Sequence, residues 1–247
     1  MAMPALGSTP KTKEGAVQLY DNWAPTYDQV LTSWRYEAPD QTAALLTRLL
    51  SSPLDAHILD AGCGTGLSGE ALCAAGVSKV TGTDVSPASI DLLASVKPGV
   101  NDHRLCSSGR GSCNLHLAIT PTSPTPQVYS ELIVADLDGE PLPFATDSFD
   151  GVTCVGVLSY ITHFDHLFAE WIRVTRPNGY VVFTHRLWDG DAGTDSAADG
   201  SKAAAIALEA RGLWKLVHES PPSPYMPGNP DPTERAKTIK YMAFQVA

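Results

Sequence analysis

The sequence predicts an α/β fold: a doubly wound, seven-stranded sheet, mostly parallel, with an antiparallel last strand and helices ahead of it. Three observations carry that expectation. From residue 57 to residue 211, short apolar segments alternate with helical patterns, the arrangement of a parallel sheet with helices on both faces. The string Ile58-Leu59-Asp60-Ala61-Gly62-Cys63-Gly64-Thr65-Gly66-Leu67 leads from an apolar strand through alternating glycines into a helix, where such sheets hold nucleotide-like ligands. The last two strand patterns, 213–218 and 238–246, have no helical pattern between them, so the final strand pairs antiparallel.

The elements follow in order. Residues 16–30 mix Tyr20, Trp23 and Tyr27 with acids and read as one or two short helices broken at Pro25. Residues 40–50 carry an apolar helical face. Strands are expected at 57–61, 79–84, 131–135, 149–158, 180–185, 213–218 and 238–246. Between them come helices at 67–75 and 87–96, the latter opened by Pro87 with Ser86 as N-cap. Two more are expected at 165–175, stopped by Pro177, and 201–211, closed by Gly212. The proline- and glycine-rich stretch 221–232 reads as loop.

At 247 residues the chain is long enough for one large domain with a full core. Residues 1–13 read as a flexible tail and 14–247 as that domain. Residues 101–127 do not fit the alternation: they hold Gly109-Arg110-Gly111, Pro121, Pro124 and Pro126 and few apolar anchors. They read as a disordered surface insertion, with a retained intron and a functional lid as alternatives.

The net charge of −10 comes with scattered lysines and arginines, which disfavours nucleic acid as a partner. No apolar run approaches the about 18 residues of a membrane span. The first residues hold Pro4 and Pro10 and no apolar block, so no secretory signal is expected. Five cysteines stand far apart without a C-x-x-C pair, which points to no metal and to a reduced, cytoplasmic protein. Cys154 reads as a small buried hydrophobe.

Four short patterns fall at successive strand ends. In the glycine loop the spacing is G-x-G-x-G, with Leu67 where a dinucleotide binder places its third glycine. Asp84 ends the second strand, where an acid accepts from both ribose hydroxyls. Asp136 ends the third and suits an adenine amino group. The fourth leads from Ser148-Phe149-Asp150 into Val155-Gly156-Val157-Leu158. Each has a plainer reading: an N-cap for Asp84, a turn for Asp136, helix packing for Trp23 and Tyr27.

Taken in this order, the patterns resemble the class I S-adenosylmethionine-dependent methyltransferases of the "methyltransferase domain 11" type, whose sheet is Rossmann-like. Leu142-Pro143-Phe144, Arg173-Val174-Thr175-Arg176-Pro177-Asn178-Gly179-Tyr180 and the N-terminal Tyr20-Asp21-Asn22-Trp23-Ala24-Pro25-Thr26-Tyr27-Asp28 extend the likeness. With Tyr36 and Ala38-Pro39, it is nearest the methyltransferase-like proteins named for the Williams–Beuren syndrome region. The resemblance implies S-adenosyl-L-methionine as cofactor and lid helices at the N-terminus. It implies that the backbone around Gly62, Cys63 and Gly64 faces the methionine moiety and that Asp60 reaches its amino group. Asp84 then holds the ribose, Val85 and Leu137 flank the adenine, and Asp136 binds its amino group. The Val155 carbonyl takes the ammonium, and Tyr27, with Tyr20 and Trp23, covers the carboxylate.

A small-molecule methyl acceptor, taken by in-line transfer in a monomer or homodimer, is the leading functional expectation. A protein methyltransferase that modified a planar amide would carry an Asn/Asp-Pro-Pro-Tyr type tetrapeptide where this chain has Gly156-Val157-Leu158-Ser159. A non-catalytic cofactor-binding partner is the other alternative. Candidate general bases are Tyr160, His163, His166 and His185, with Arg186 available to an anionic substrate; each also reads as an ordinary structural residue.

Overall fold

The structure, a computed structural model, describes residues 13–96, 128–139, 141–186 and 196–247. Of the expected tail at 1–13 only Lys13 is described, and it opens α1 rather than extending the tail; residues 1–12 and the insertion at 101–127 lie outside the described residues. The strands are β1 (His57–Ala61), β2 (Lys79–Asp84), β3 (Glu131–Val134), β4 (Phe149–Cys154), β5 (Thr175–His185), β6 (Trp214–Glu219), β7 (Ser223–Pro224) and β8 (Thr238–Val246). The helices are α1 (Lys13–Ser33), α2 (Ala38–Leu49), α3 (Leu67–Ala74), α4 (Pro87–Val96), α5 (Phe164–Val174), α6 (Ser196–Ala210) and α7 (Pro232–Arg235). None of the described helices is long and apolar enough to cross a membrane.

The sheet runs β3-β2-β1-β4-β5-β8-β6, with β7 paired to β8 beside this path. The strands from β1 to β5 pair parallel, and β8 is antiparallel to both β5 and β6. The path from β1 goes outward to β2 and β3, then returns to β4 on the other side of β1. That reversal opens a crevice at the carboxyl ends of β1 and β4, where such sheets take their ligands.

Residue alternation explains the two layers. On β5, Val181 and Phe183 enter one core with Phe168 and Trp171 of α5, Ala205 and Leu208 of α6, Trp214 and Phe244. Val182 points the other way, into a core with Leu46 of α2, Leu72 of α3, Leu93 of α4, Ile58 and Val80. Full burial of each such side chain stabilises the fold by about 1.5–3 kcal/mol. β8 is seated between its neighbours by stacked rings: Trp214 on Phe244 at 4.2 Å and Phe244 on Phe183 at 5.8 Å between centroids.

Four expectations need correction. α1 continues without a break through Pro25. Its Trp23 and Leu31 bury against Trp34 and Met226, and that packing outweighs the roughly 3 kcal/mol proline penalty. The fourth strand was expected to reach Leu158 but ends at Cys154. Gly156 takes φ +75° there, and a single 3-10 turn follows at Leu158–Tyr160. β5 begins at Thr175 rather than Tyr180, but its pairing with β4 jumps from Phe149↔Thr175 to Gly151↔Tyr180, so the regular ladder starts where the Asn178-Gly179 turn predicts. Within the expected loop at 221–232 lies β7, and one turn of α7 starts at its end, capped by Asp231 accepting from the Thr233 amide.

Candidate active site

The glycine loop joins β1 to α3 and is strapped to β2. The Gly62 and Cys63 amides both donate to the Thr83 carbonyl at 2.8 Å. Gly62 has φ +79°, and a Cβ there would lie 2.4 Å from Val157 Cγ2, so glycine is required twice over, by backbone and by packing. Gly64 has φ +51° with nothing within 4 Å of a Cβ, and it lines an open cleft. Its amide donates to Asp84 Oδ2 at 2.9 Å, and the Ser86 amide donates to Asp84 Oδ1 at 2.9 Å. A carboxylate oxygen accepts more than one hydrogen bond, so Asp84 holds the loop and still faces the cleft.

The cleft has a volume of about 390 Å³. One wall is the loop with Cys63, Gly64 and Thr65; another is Asp84 and Val85 at the end of β2. Asp136 and Leu137 follow β3, and Val155, Tyr160 and His163 follow β4. α1 supplies Tyr27, and the turn between α1 and α2 supplies Tyr36. Asp28, next to Tyr27 on α1, accepts a hydrogen bond from the Thr65 hydroxyl at 2.6 Å, which ties the helix to the glycine loop.

Some expected site residues stand elsewhere. Asp60 is fully buried behind the loop, held by the Tyr129 hydroxyl at 2.7 Å and by Thr153 Oγ1 at 3.5 Å. Burial pushes its carboxyl up to about 7; the Tyr129 hydrogen bond opposes this and the Asp84 charge adds to it. Trp23 is buried and packs edge-on against Tyr27, 4.7 Å between centroids, so it supports a wall residue. Tyr20 belongs to α1, and its side chain lies outside the described residues.

The candidate bases separate in the same way. His163 is exposed at the start of α5, with Nδ1 2.9 Å from the Asp138 carbonyl. The Asp138 carboxylate accepts from the Thr162 amide and hydroxyl and from the His163 amide. Burial acts to raise Asp138, and these hydrogen bonds outweigh it and hold the carboxyl below its usual range. His185 is buried, with Nε2 2.8 Å from the Ser201 hydroxyl. Burial, aided by the Arg186 charge, pushes its pKa down to about 4. His166 sits on α5 with Nε2 buried and no hydrogen-bond partner among the described residues. Neither His185 nor His166 is in the cleft wall.

Sequence reasoning assigned no role to Asp28, Thr65, Tyr129 or Val157. Asp28 closes the N-terminal tyrosine element and so was marked by its neighbours. Tyr129 follows the anomalous 101–127 stretch and carried no signal.

The family profile described as "Methyltransferase domain" matches residues 59–183, from β1 to β5. The chain belongs to this methyltransferase family. It is an S-adenosylmethionine-dependent methyltransferase, and S-adenosylmethionine is its cofactor. It is similar to human Methyltransferase-like protein 27, 30% identical over 200 residues, which is 81% of this chain and 68% of that protein. Among solved structures it superposes on the [4+2]-cyclase SpnF with a TM-score of 0.63 at 14% identity, covering 95% and 96% of the two chains. An S-adenosylmethionine-dependent methyltransferase from Mesorhizobium loti gives a TM-score of 0.52 at 18% identity, covering 82% and 96%. At these identities the two structures share its fold.

Proposed function

We propose that this methyltransferase acts on a small-molecule acceptor by in-line transfer inside the cleft. The observation that carries the reading is a cleft walled in part by the chain's own α1 and the Tyr160 turn. About 390 Å³ suits a cofactor and a small acceptor group better than a folded macromolecular surface.

The residues present fit the cofactor. Gly64 offers a bare backbone face to the cleft, a cradle that a side chain would fill. In our reading the Gly62, Cys63 and Gly64 backbone faces the aminocarboxypropyl end, with Tyr27 over its carboxylate. Asp84 takes the ribose hydroxyls, Val85 and Leu137 flank the adenine, and Asp136 receives its amino group. The Val155 carbonyl meets the ammonium, and Asp60 supplies negative charge from beneath the loop. Trp23 braces Tyr27 from behind. S-adenosylmethionine held there would supply a sulfonium methyl to an acceptor lone pair, with its thioether as the leaving group. The chain's task is alignment and exclusion of water. Where the acceptor must lose a proton, Tyr160 and His163 are placed to take it; buried His185 is not. The free cysteines Cys63, Cys73 and Cys154 support a cytoplasmic protein, and we assign it as a monomer or homodimer.

Thermal unfolding with S-adenosylmethionine, S-adenosylhomocysteine and NAD tests the cofactor assignments. A ligand at a hundred times its Kd adds about 2.7 kcal/mol. The adenosyl ligands give the shift, NAD gives none, and Asp84→Ala abolishes it; a retained shift in Asp84→Ala overturns the ribose assignment. Release of S-adenosylhomocysteine from small-molecule pools tests the acceptor class, and turnover with protein extracts alone overturns it.

A further inference from the structure

The cleft rim beside Leu137 is one connected set of hydrogen bonds. Asp136 and Asp138 both line the cleft on the loop after β3. The Asp138 amide donates to Asp136 Oδ1 at 3.1 Å. The Asp138 carboxylate then reaches the start of α5. Its Oδ1 accepts from the Thr162 amide at 2.7 Å and from the His163 amide at 2.8 Å. Its Oδ2 accepts from the Thr162 hydroxyl at 2.6 Å. These bonds hold His163 against the loop that carries Asp136.

The same bonds decide the histidine's tautomer. Nδ1 lies 2.9 Å from the Asp138 carbonyl, 3.1 Å from Thr162 Oγ1 and 3.4 Å from Asp138 Oδ1. A carbonyl and a carboxylate only accept. Thr162 Oγ1 has given its hydrogen to Asp138, so toward Nδ1 it too only accepts. Nδ1 therefore carries the hydrogen, and the neutral ring keeps its lone pair on Nε2. Nε2 makes no hydrogen bond among the described residues. His163 is the N-cap residue of α5, but its side chain makes no cap bond. It lines the cleft and its side chain is 68% exposed, so an acceptor atom stands at the mouth where a ligand can cover it.

Two acceptors thus edge this wall, the Asp136 carboxylate and His163 Nε2. They are close: Asp136 and Asp138 are at most about 7 Å apart between Cα atoms, and the His163 ring sits on the Asp138 carbonyl. Leu137 between them adds apolar surface. An apolar face with two acceptors suits a flat heterocycle whose exocyclic amine has two hydrogens to give. A keto oxygen in that place would meet two lone pairs. We propose that His163 is a second recognition residue for the cofactor's adenine: Nε2 accepts one hydrogen of the exocyclic amino group and Asp136 accepts the other. This inference rests on the reading above that puts the adenine between Val85 and Leu137. An imidazole engaged in this way leaves Tyr160 as the base where the acceptor must lose a proton.

The test is equilibrium binding to the full chain, with S-adenosylhomocysteine beside S-inosylhomocysteine, which has a keto oxygen in place of the amino group. Wild type binds the inosyl compound at least about tenfold more weakly. His163→Phe keeps a ring at the rim and removes both nitrogens. It binds S-adenosylhomocysteine about threefold to tenfold more weakly and the inosyl compound within about twofold of wild type. His163→Gln returns an acceptor oxygen and recovers part of the preference; it also gives a second reading if the phenylalanine variant fails to fold. In nitrogen-15 spectra the His163 Nε2 resonance, identified by its loss in His163→Phe, shows a lone pair in the free protein and moves when S-adenosylhomocysteine binds. Equal weakening of both ligands by His163→Phe, or an Nε2 resonance that does not move, overturns the inference. A wild-type preference that Asp136→Ala lowers and His163→Phe does not overturns the part given to His163 and upholds the adenine placement. No preference between the two ligands in wild type overturns both.

Discussion

The Tyr129 hydroxyl donates to Asp60 Oδ2 at 2.7 Å, and both residues are sealed from solvent. The tyrosine ring fills the space above two glycines: a Cβ at Gly69 would lie 2.4 Å from it, and one at Gly82 2.9 Å. One side chain therefore joins the acid of β1 to β2 and α3 directly beneath the glycine loop. Tyr129→Phe keeps the ring and removes the donor. Above pH 7, where Asp60 ionises, the loss of a hydrogen bond to a buried charge costs about 1.5–3 kcal/mol, and urea unfolding reads it. At pH 5 the carboxyl is neutral and the same substitution costs less. No cost at either value would show that Tyr129 acts by packing alone.

Asp60 and His185 impose opposite pH dependences. The Asp60 pKa rises on folding to about 7, so the folded state holds its proton more tightly than the unfolded state. That contribution is fully present below about pH 4 and is lost as pH rises to 7. His185 falls to about 4; its contribution is present above about 6.5 and is lost as pH drops toward 4. The difference in stability between wild type and Asp60→Asn therefore declines with rising pH across this window. The difference between wild type and His185→Gln grows. Thermal unfolding at half-unit steps of pH checks both signs.

The Asp28–Thr65 hydrogen bond is a polar tie from α1 to the glycine loop. Thr65→Val and Asp28→Asn each change global stability by only about 0.5–1.5 kcal/mol. Both speed release of S-adenosylhomocysteine in stopped-flow dissociation, because α1 lifts more readily. The double variant is no faster than the worse single one, as expected for two halves of one interaction. Additive effects would mean that the residues act separately.

Gly62→Ala meets two obstacles, the left-handed backbone and Val157 Cγ2 at 2.4 Å. The backbone alone costs roughly 1–2 kcal/mol, and the collision adds to it. Val157→Ala in the same chain removes the collision and leaves the backbone cost, so chemical denaturation shows partial rescue. Full rescue would show that φ at this position carries no strain.

Several elements were legible to the residue in the sequence. β1, β2, α4 and β8 have the expected bounds, because turn residues, Pro87 or a change of periodicity mark each end. The end of β4 was not legible, since Val155, Val157 and Leu158 are apolar for cleft and core rather than for a ladder. Pro25 misled in the opposite way: its local penalty is overridden by aromatic packing that only the folded chain brings together. At the site, the residues whose backbone or carboxylate edges the cleft, such as Gly64 and Asp84, followed from their positions at strand ends. Tyr129 did not, because its partner Asp60 is distant in the chain and carries no spacing rule.

The placing of β8 between β5 and β6 has a consequence for synthesis. β6 joins the sheet through β8, yet β8 is translated after it. While the ribosome is still making residues 220–237, β6 has no strand to zip against, and Phe183 and Trp214 lack the Phe244 ring that later joins them. The nascent chain thus completes the parallel half first and carries an exposed aromatic edge until its closing strand arrives, the interval in which a chaperone has something to hold.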